Sequence, residues 1–282
     1  MPKPSGVDSL NILNISVNVI SLQDAIDYIV GRAGDQHGPS GYVIKPYVEF
    51  FDRAAGQPKL QDLLNHAELS VADGVAVLWA AHYLYAGPRT FGRLCQTLVQ
   101  IIIQPTHLNW PLPERAAGTN FTWPLLRQAA SAKLRVFLIG KESDEDITAT
   151  ARIIQAAVPG IIIVGTRSGR DQSSPRGQVS PAWIAQTAAA LTASRAQLTL
   201  VGTGFPLQEN VCAQLTQAVP SGIFIGEGGT FDYESFGGTR QKAPTILQNL
   251  GLEWAWRLIL EPSRFRRQLA IPRFIWRIWR SR

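Results

Sequence analysis

Two glycine-rich turns, each at the end of an apolar run, carry the clearest chemical signal in this chain. In the first, Leu198-Thr199-Leu200-Val201 leads into Gly202-Thr203-Gly204, then Phe205-Pro206, and Gln208-Glu209 opens a helical pattern. In the second, Ile223-Phe224-Ile225 leads into Gly226-Glu227-Gly228-Gly229-Thr230-Phe231-Asp232. Short apolar runs bounded by glycine read as buried parallel strands. Glycine where such a strand meets a helix lets backbone N–H groups approach a phosphate, and the helix N-terminus adds positive potential. A single Gly-x-Gly is equally a plain strand-to-helix turn. Two in succession point to one ligand crevice at the carboxyl edge of a sheet.

Three further groups fall at strand ends. Asp73 follows Leu69-Ser70-Val71-Ala72 and precedes Gly74. A carboxylate there is either a general base at the crevice rim or the N-cap of the next helix. Lys45 follows Gly41-Tyr42-Val43-Ile44, and either meets a phosphate or extends to solvent. Asp144-Glu145-Asp146 has the Asp-x-Asp spacing of a metal–diphosphate site. With Ser143 before it, the trio better suits the first turn of a helix. His37, His66, His82 and His107 show no ligand spacing, so no metal is expected. The chain has no Gly-x-Ser-x-Gly, P-loop or Gly-x-Gly-x-x-Gly, which weighs against hydrolase, kinase and dehydrogenase chemistry.

These groups must be positioned by the elements between them, and strand and helix patterns alternate almost throughout. Leu10 to Val19 alternates like one half-buried strand. Ser21 is placed to cap a helix from Leu22, with Asp24 in its first turn. Glu49 to Leu64 is helical with a break near Gly56-Gln57-Pro58, and an apolar helix runs from Gly74 to Tyr85. Strands at Leu134–Gly140 and Gly160–Gly165 are spaced by a helix from Glu145 to Ala157, and Trp183 to Thr192 is helical. The alternation predicts an α/β fold, a Rossmann-like parallel sheet with flanking helices. Residues 1–249 are expected to form this core. The stretch at about 86–113 is irregular, with helical spacing from Phe91 to Gln104.

At 282 residues and 45% hydrophobic, the chain can bury a sizeable core. Two cysteines, Cys95 and Cys212, make no disulfide framework, and the first residues carry no apolar signal segment, so a cytoplasmic site is expected. The longest charge-free stretch, Leu94 to Pro113, is too polar and too broken by proline to span a bilayer. The net charge of +6 is concentrated at the end: residues 257–282 hold eight Arg and one Glu. Arg interleaved with Trp, Phe and Ile reads as an interfacial membrane helix, so residues 250–282 are expected to be a basic helical appendage on an anionic surface. A docked C-terminal helix is the plainer alternative. No nucleic-acid partner is expected, because the rest of the chain supplies no basic groove.

Taken together these segments resemble the WecG/TagA/CpsF family of glycosyltransferases (family 26). The likeness runs through Leu10 to Val17, Ala72-Asp73-Gly74-Val75, Glu114 to Thr119, Arg135 to Gly140, Gly202 to Glu209, Gly226 to Asp232, Lys242-Ala243-Pro244 and Leu250 to Arg264. The resemblance implies transfer of an N-acetylmannosamine-type sugar from a UDP donor to a polyprenyl-diphosphate-linked saccharide. It implies an inverting, metal-independent enzyme without a cofactor, peripheral on the inner face of the cell membrane, in cell-surface polysaccharide synthesis. It assigns Asp73 as base and Arg115 to the donor diphosphate. Lys45, Gly202, Gly204, Gln208 and Asp232 are then expected on the donor. Arg257, Arg264, Arg267, Trp276 and Trp279 are expected on the membrane or acceptor. The chain departs from the family pattern at Lys45-Pro46-Tyr47 (Thr-Pro-Asn in the family), Asn120 (Asp), Leu207 (Lys) and Lys141-Glu142 after Gly140 (Gly-Lys), and against the family the stretch at about 86–113 is an insertion. Those departures leave a rival open: a homologue that binds a nucleotide sugar with little or no turnover, or that scaffolds glycan assembly.

Overall fold

The computed structural model describes residues 7–103, 108–116, 118–244, 247, 253–260 and 269–281. Among the described residues there are eight strands. A hairpin, β1 (Ser9–Ile12) and β2 (Ile15–Asn18), stands apart from a six-stranded sheet. The sheet comprises β3 (Gly41–Ile44), β4 (Leu69–Ser70), β5 (Arg135–Gly140), β6 (Ile162–Ser168), β7 (Leu198–Gly202) and β8 (Ile223–Gly226). Its order is β4-β3-β8-β7-β5-β6, and every pairing is parallel. This is the expected Rossmann-like α/β architecture.

The sheet is parallel because helices cover both faces, and alternate side chains of each strand enter different halves of the core. Tyr42, Ile44, Phe137, Ile139, Val201 and Phe224 face one side. Val43, Val136, Leu138, Leu198, Leu200 and Ile225 face the other. The first side is covered by α2 (Val48–Ala54), α4 (Val75–Tyr85), α8 (Pro181–Ala193) and α9 (Leu207–Ala218). The second is covered by α1 (Leu22–Gly34), α6 (Gly118–Ser131) and α7 (Asp144–Ala157). Among the described residues, α3 (Pro58–Asn65) and α5 (Phe91–Ile103) are two further α-helices.

Local signals hold where they are strongest. Ser21 and Ser143 each accept a hydrogen bond from the backbone N–H three residues on, at Asp24 and Asp146, and so cap α1 and α7. Asp144, in the first turn of α7, also accepts from Ser168 N at 2.6 Å and pins the end of β6. The Asp-x-Asp spacing therefore belongs to a capped helix start. One element needs correction: Leu10–Val19 is not one strand but the β1–β2 hairpin. Leu13 and Asn14 both take positive φ (48° and 67°), and Asn11 Oδ1 accepts from Asn14 N at 2.9 Å. A two-residue turn of this kind leaves the apolar alternation intact on both sides, so the pattern hides the reversal.

The helix Ala270–Arg280 shares the main core. Phe274 and Ile278 are fully buried, and Phe274 lies 5.2 Å from the Phe51 ring and 6.4 Å from that of Trp79. Arg273 and Arg277 both reach Asp52 of α2, at 2.6 and 3.3 Å. This face is docked, as in the plainer reading of the tail, while Trp276 on the opposite face is 52% exposed. Arg264 and Arg267 lie outside the described residues, as does the side chain of Arg257.

Candidate active site

Because all six strands run the same way, their carboxyl ends form one edge, and a crevice of about 1360 Å³ opens there. Sheet order arranges the side chains along it. Asp73 follows β4, Lys45 follows β3, Glu227 follows β8, Thr203 and Gly204 follow β7, Lys141 follows β5, and Gly169 and Arg170 follow β6; all line the crevice. The seven crevice residues expected from sequence, Lys45, Asp73, Arg115, Gly202, Gly204, Gln208 and Asp232, come together in this one space. Arg115 arrives on the loop before α6. Ala116 N donates to Ala72 O at 2.8 Å, and Asp73 N donates to Pro46 O at 2.9 Å. These two bonds hold the acid between the end of β3 and the arginine loop. Gly74 (φ 92°) is the N-cap of α4, so Asp73 stands just outside that helix.

Two sequence-expected glycines are glycine for different reasons. At Gly202 a Cβ would stand 2.6 Å from the Phe231 ring, so the residue admits a phenylalanine packed across the strand ends. Gly204 has φ 81° and open space on its Cβ side, which is the conformation that excludes most L side chains. Gln208 is a brace. Its Oε1 accepts from Gly228 N at 2.7 Å and its Nε2 donates to Glu209 Oε1 at 2.6 Å, tying the two glycine turns together. Asp232 meets Arg240 at 3.2 Å, and Arg240 Nη1 also donates to Gly229 O at 3.2 Å. The loop after β8 is thereby folded over the crevice.

Sequence reasoning missed the group at the floor. Lys45 Nζ donates to Glu227 Oε2 at 2.7 Å, and Thr122 Oγ1 donates to the same oxygen at 2.7 Å. Both members of the ion pair are buried, Lys45 Nζ lies 4.8 Å from the Phe121 ring centre, and Glu227 Oε1 has no hydrogen-bond partner among the described residues. Lys45 therefore stands as half of a compensated buried pair. Glu227 sat in plain view among glycines, but nothing local marks it as the partner of a lysine 182 residues away. The wall beyond β5 and β6 carries both signs: Lys141, Arg170 and Arg176 line it with Glu142 and Asp146, and Arg176 pairs with Glu142 at 3.3 Å. Arg170 and Arg176 belong to a loop organised by the buried Asp171, which accepts from Ser173 Oγ at 2.6 Å and Ser180 N at 2.7 Å. Those donors hold its carboxyl well below the usual range.

Below the crevice, Glu209 is fully buried, and burial pushes its carboxyl up to about 7 from an ordinary 4.5, against the hydrogen bond from Gln208. The folded protein then holds a proton that the unfolded chain releases between these two values. Stability is expected to fall as pH rises through that window and to stay lower above it. Glu209→Gln should flatten the slope and raise the thermal midpoint at about pH 8, as followed by circular dichroism. A slope that survives in the variant would assign it to another group.

The arrangement offers a carboxylate and an arginine at one end, a wall of mixed charge at the other, and glycine turns between. Among the described residues no cluster of three His, Cys, Asp or Glu side chains could hold a metal ion. No described helix is long and apolar enough to cross a membrane. The sequence model of the Glycosyl transferase WecG/TagA/CpsF family matches residues 10–101 and 99–282, with the two stretches meeting inside α5.

Proposed function

This chain belongs to the WecG/TagA/CpsF family of glycosyltransferases, and from that premise we propose that it transfers an N-acetylmannosamine-type sugar from a UDP donor to a polyprenyl-diphosphate-linked saccharide. The work would be done at the inner membrane face, in cell-surface polysaccharide synthesis. Asp73 takes the proton of the acceptor hydroxyl as that oxygen attacks the anomeric carbon. The bond from that carbon to the diphosphate oxygen breaks, UDP leaves with the electron pair, and the anomeric configuration inverts. Arg115 and the backbone amides at Gly202–Gly204 stabilise the charge that develops on the diphosphate. Asp232 holds the nucleoside. The observation that carries this reading is the pairing of the Asp73 and Arg115 loops by the Ala116–Ala72 bond at one rim of the carboxyl-edge crevice that the two glycine turns line.

The test is a panel of UDP-sugars assayed for hydrolysis and for transfer to a short-chain prenyl-diphosphate-GlcNAc acceptor. Turnover with a UDP-N-acetylhexosamine supports the reading. Binding without turnover across the panel supports the rival, a nucleotide-sugar-binding homologue, which the Lys45–Glu227 pair at the floor favours. We further expect activity to be unchanged by chelators, since Asp146 is engaged with Ser143 in the cap of α7 and Asp144 accepts from Ser168 N. Loss of transfer in EDTA, restored by Mg²⁺ or Mn²⁺, would replace this with a metal-assisted mechanism.

A further inference from the structure

The insertion helix α5 is apolar on the face that it turns away from the protein. Leu94, Thr97, Leu98 and Ile101 pack inward. Phe91, Cys95, Val99 and Ile103 are exposed at steps of four, and Phe91, Val99 and Ile103 are 64%, 53% and 69% exposed. The stripe is about 18 Å long at 1.5 Å per residue. Gln96 is also exposed on the outer side, but three large apolar side chains in one exposed row belong at an interface or in lipid, and not in water.

Two observations say what covers it. Phe91 lies 6.0 Å from Trp279, which lies 5.1 Å from Trp276, so the stripe runs into the exposed aromatic edge of the C-terminal helix. Arg89 Nη1 donates to Ser281 O at 3.2 Å and fastens the loop before α5 to the end of that helix. The charge around this surface has one sign. Neither helix contains an acid, and Arg280 sits over Trp276 at 5.0 Å to the ring centre. Apolar side chains edged by arginine match an anionic bilayer surface, where the rings enter the headgroup region and the guanidinium groups meet phosphate. A second copy of the chain would place these arginines against each other.

We propose that α5 is a second membrane-contacting element, which seats the outer edge of Phe91, Val99 and Ile103 in an anionic leaflet beside Trp276 and so fixes the orientation of the molecule. This rests on the membrane part of the function proposed above. The insertion then adds a line of contact to the point supplied by the C-terminal helix.

Cys95 lies on the stripe while Cys212 is buried, so an environment-sensitive fluorophore can be attached at Cys95 in the full chain. With vesicles containing phosphatidylglycerol we expect a blue shift and quenching by nitroxide-labelled lipid. Val99→Asp with Ile103→Asp should weaken vesicle partitioning by about ten-fold or more, because two desolvated acids would face an anionic surface. Both positions are exposed, so the thermal midpoint and UDP binding should be unchanged. Vesicle binding with a Cys95 probe that stays in water overturns the role of α5 and leaves the membrane reading standing. No vesicle binding at all overturns both. A shift that grows with protein concentration without lipid makes a second copy the occupant and also overturns the proposal.

Discussion

Asp73→Asn is expected to lower turnover by about 10²–10⁴-fold while UDP binding and folding stay close to those of the parent chain. The substitution keeps the size and the backbone bonds that hold this position, Asp73 N to Pro46 O and Ala116 N to Ala72 O. It removes only the ability to accept a proton. An effect of that size appears if proton removal from the acceptor hydroxyl is part of the transition state. Parallel measurement of transfer, UDP binding by calorimetry and the thermal midpoint separates the possibilities. Unchanged turnover would take Asp73 out of the mechanism. Loss of UDP binding would place it on the donor, and a large fall in midpoint would give it a structural role.

Glu227→Ala should destabilise the fold by about 3–5 kcal/mol, because it strands the buried Lys45 ammonium and removes the acceptor of Thr122. A buried ion pair need not itself be stabilising; what is costly is to break it from one side. The double variant Lys45→Met, Glu227→Met should therefore recover most of the loss, since an apolar pair of similar volume avoids desolvating either charge. Denaturant unfolding of both single variants and the double one gives the coupling between them. A loss under about 1 kcal/mol for Glu227→Ala would mean that water reaches the pair in solution. The same series bears on function. If the double variant folds well yet loses binding of the UDP-sugar, the pair positions the donor as well as the floor of the crevice.

Much of the fold was legible because its signals act over a few residues. Ser21 and Ser143 cap helices with the hydroxyl-to-N–H bond that their sequence positions imply. Runs such as Leu198–Val201 are strands because every side chain there is apolar or β-branched and both faces of the sheet are covered. The carboxyl-edge crevice followed from two glycine turns in succession. The β1–β2 hairpin did not follow, since a two-residue turn at Leu13-Asn14 preserves the alternation from which the strand was read.

Sequence by itself determined which strand ends carry polar groups and glycine turns: Asp73, Lys45, the Gly202–Gly204 turn and Asp232 all come to one crevice. Tertiary structure alone decided what each one touches. The strand order places β3 next to β8, so Lys45 meets Glu227 across 182 residues and Gln208 reaches Gly228. It also decided which face of an apolar helix is left in the open. α5 offers apolar side chains on more than one side, and packing on α4 selects Leu94, Thr97, Leu98 and Ile101 as the inner side. Capping and periodicity are energies of neighbouring residues and can be read in order along the chain. Ion pairs, packing faces and exposed stripes are energies of surfaces brought together by chain crossings, and no local pattern encodes which surfaces those will be.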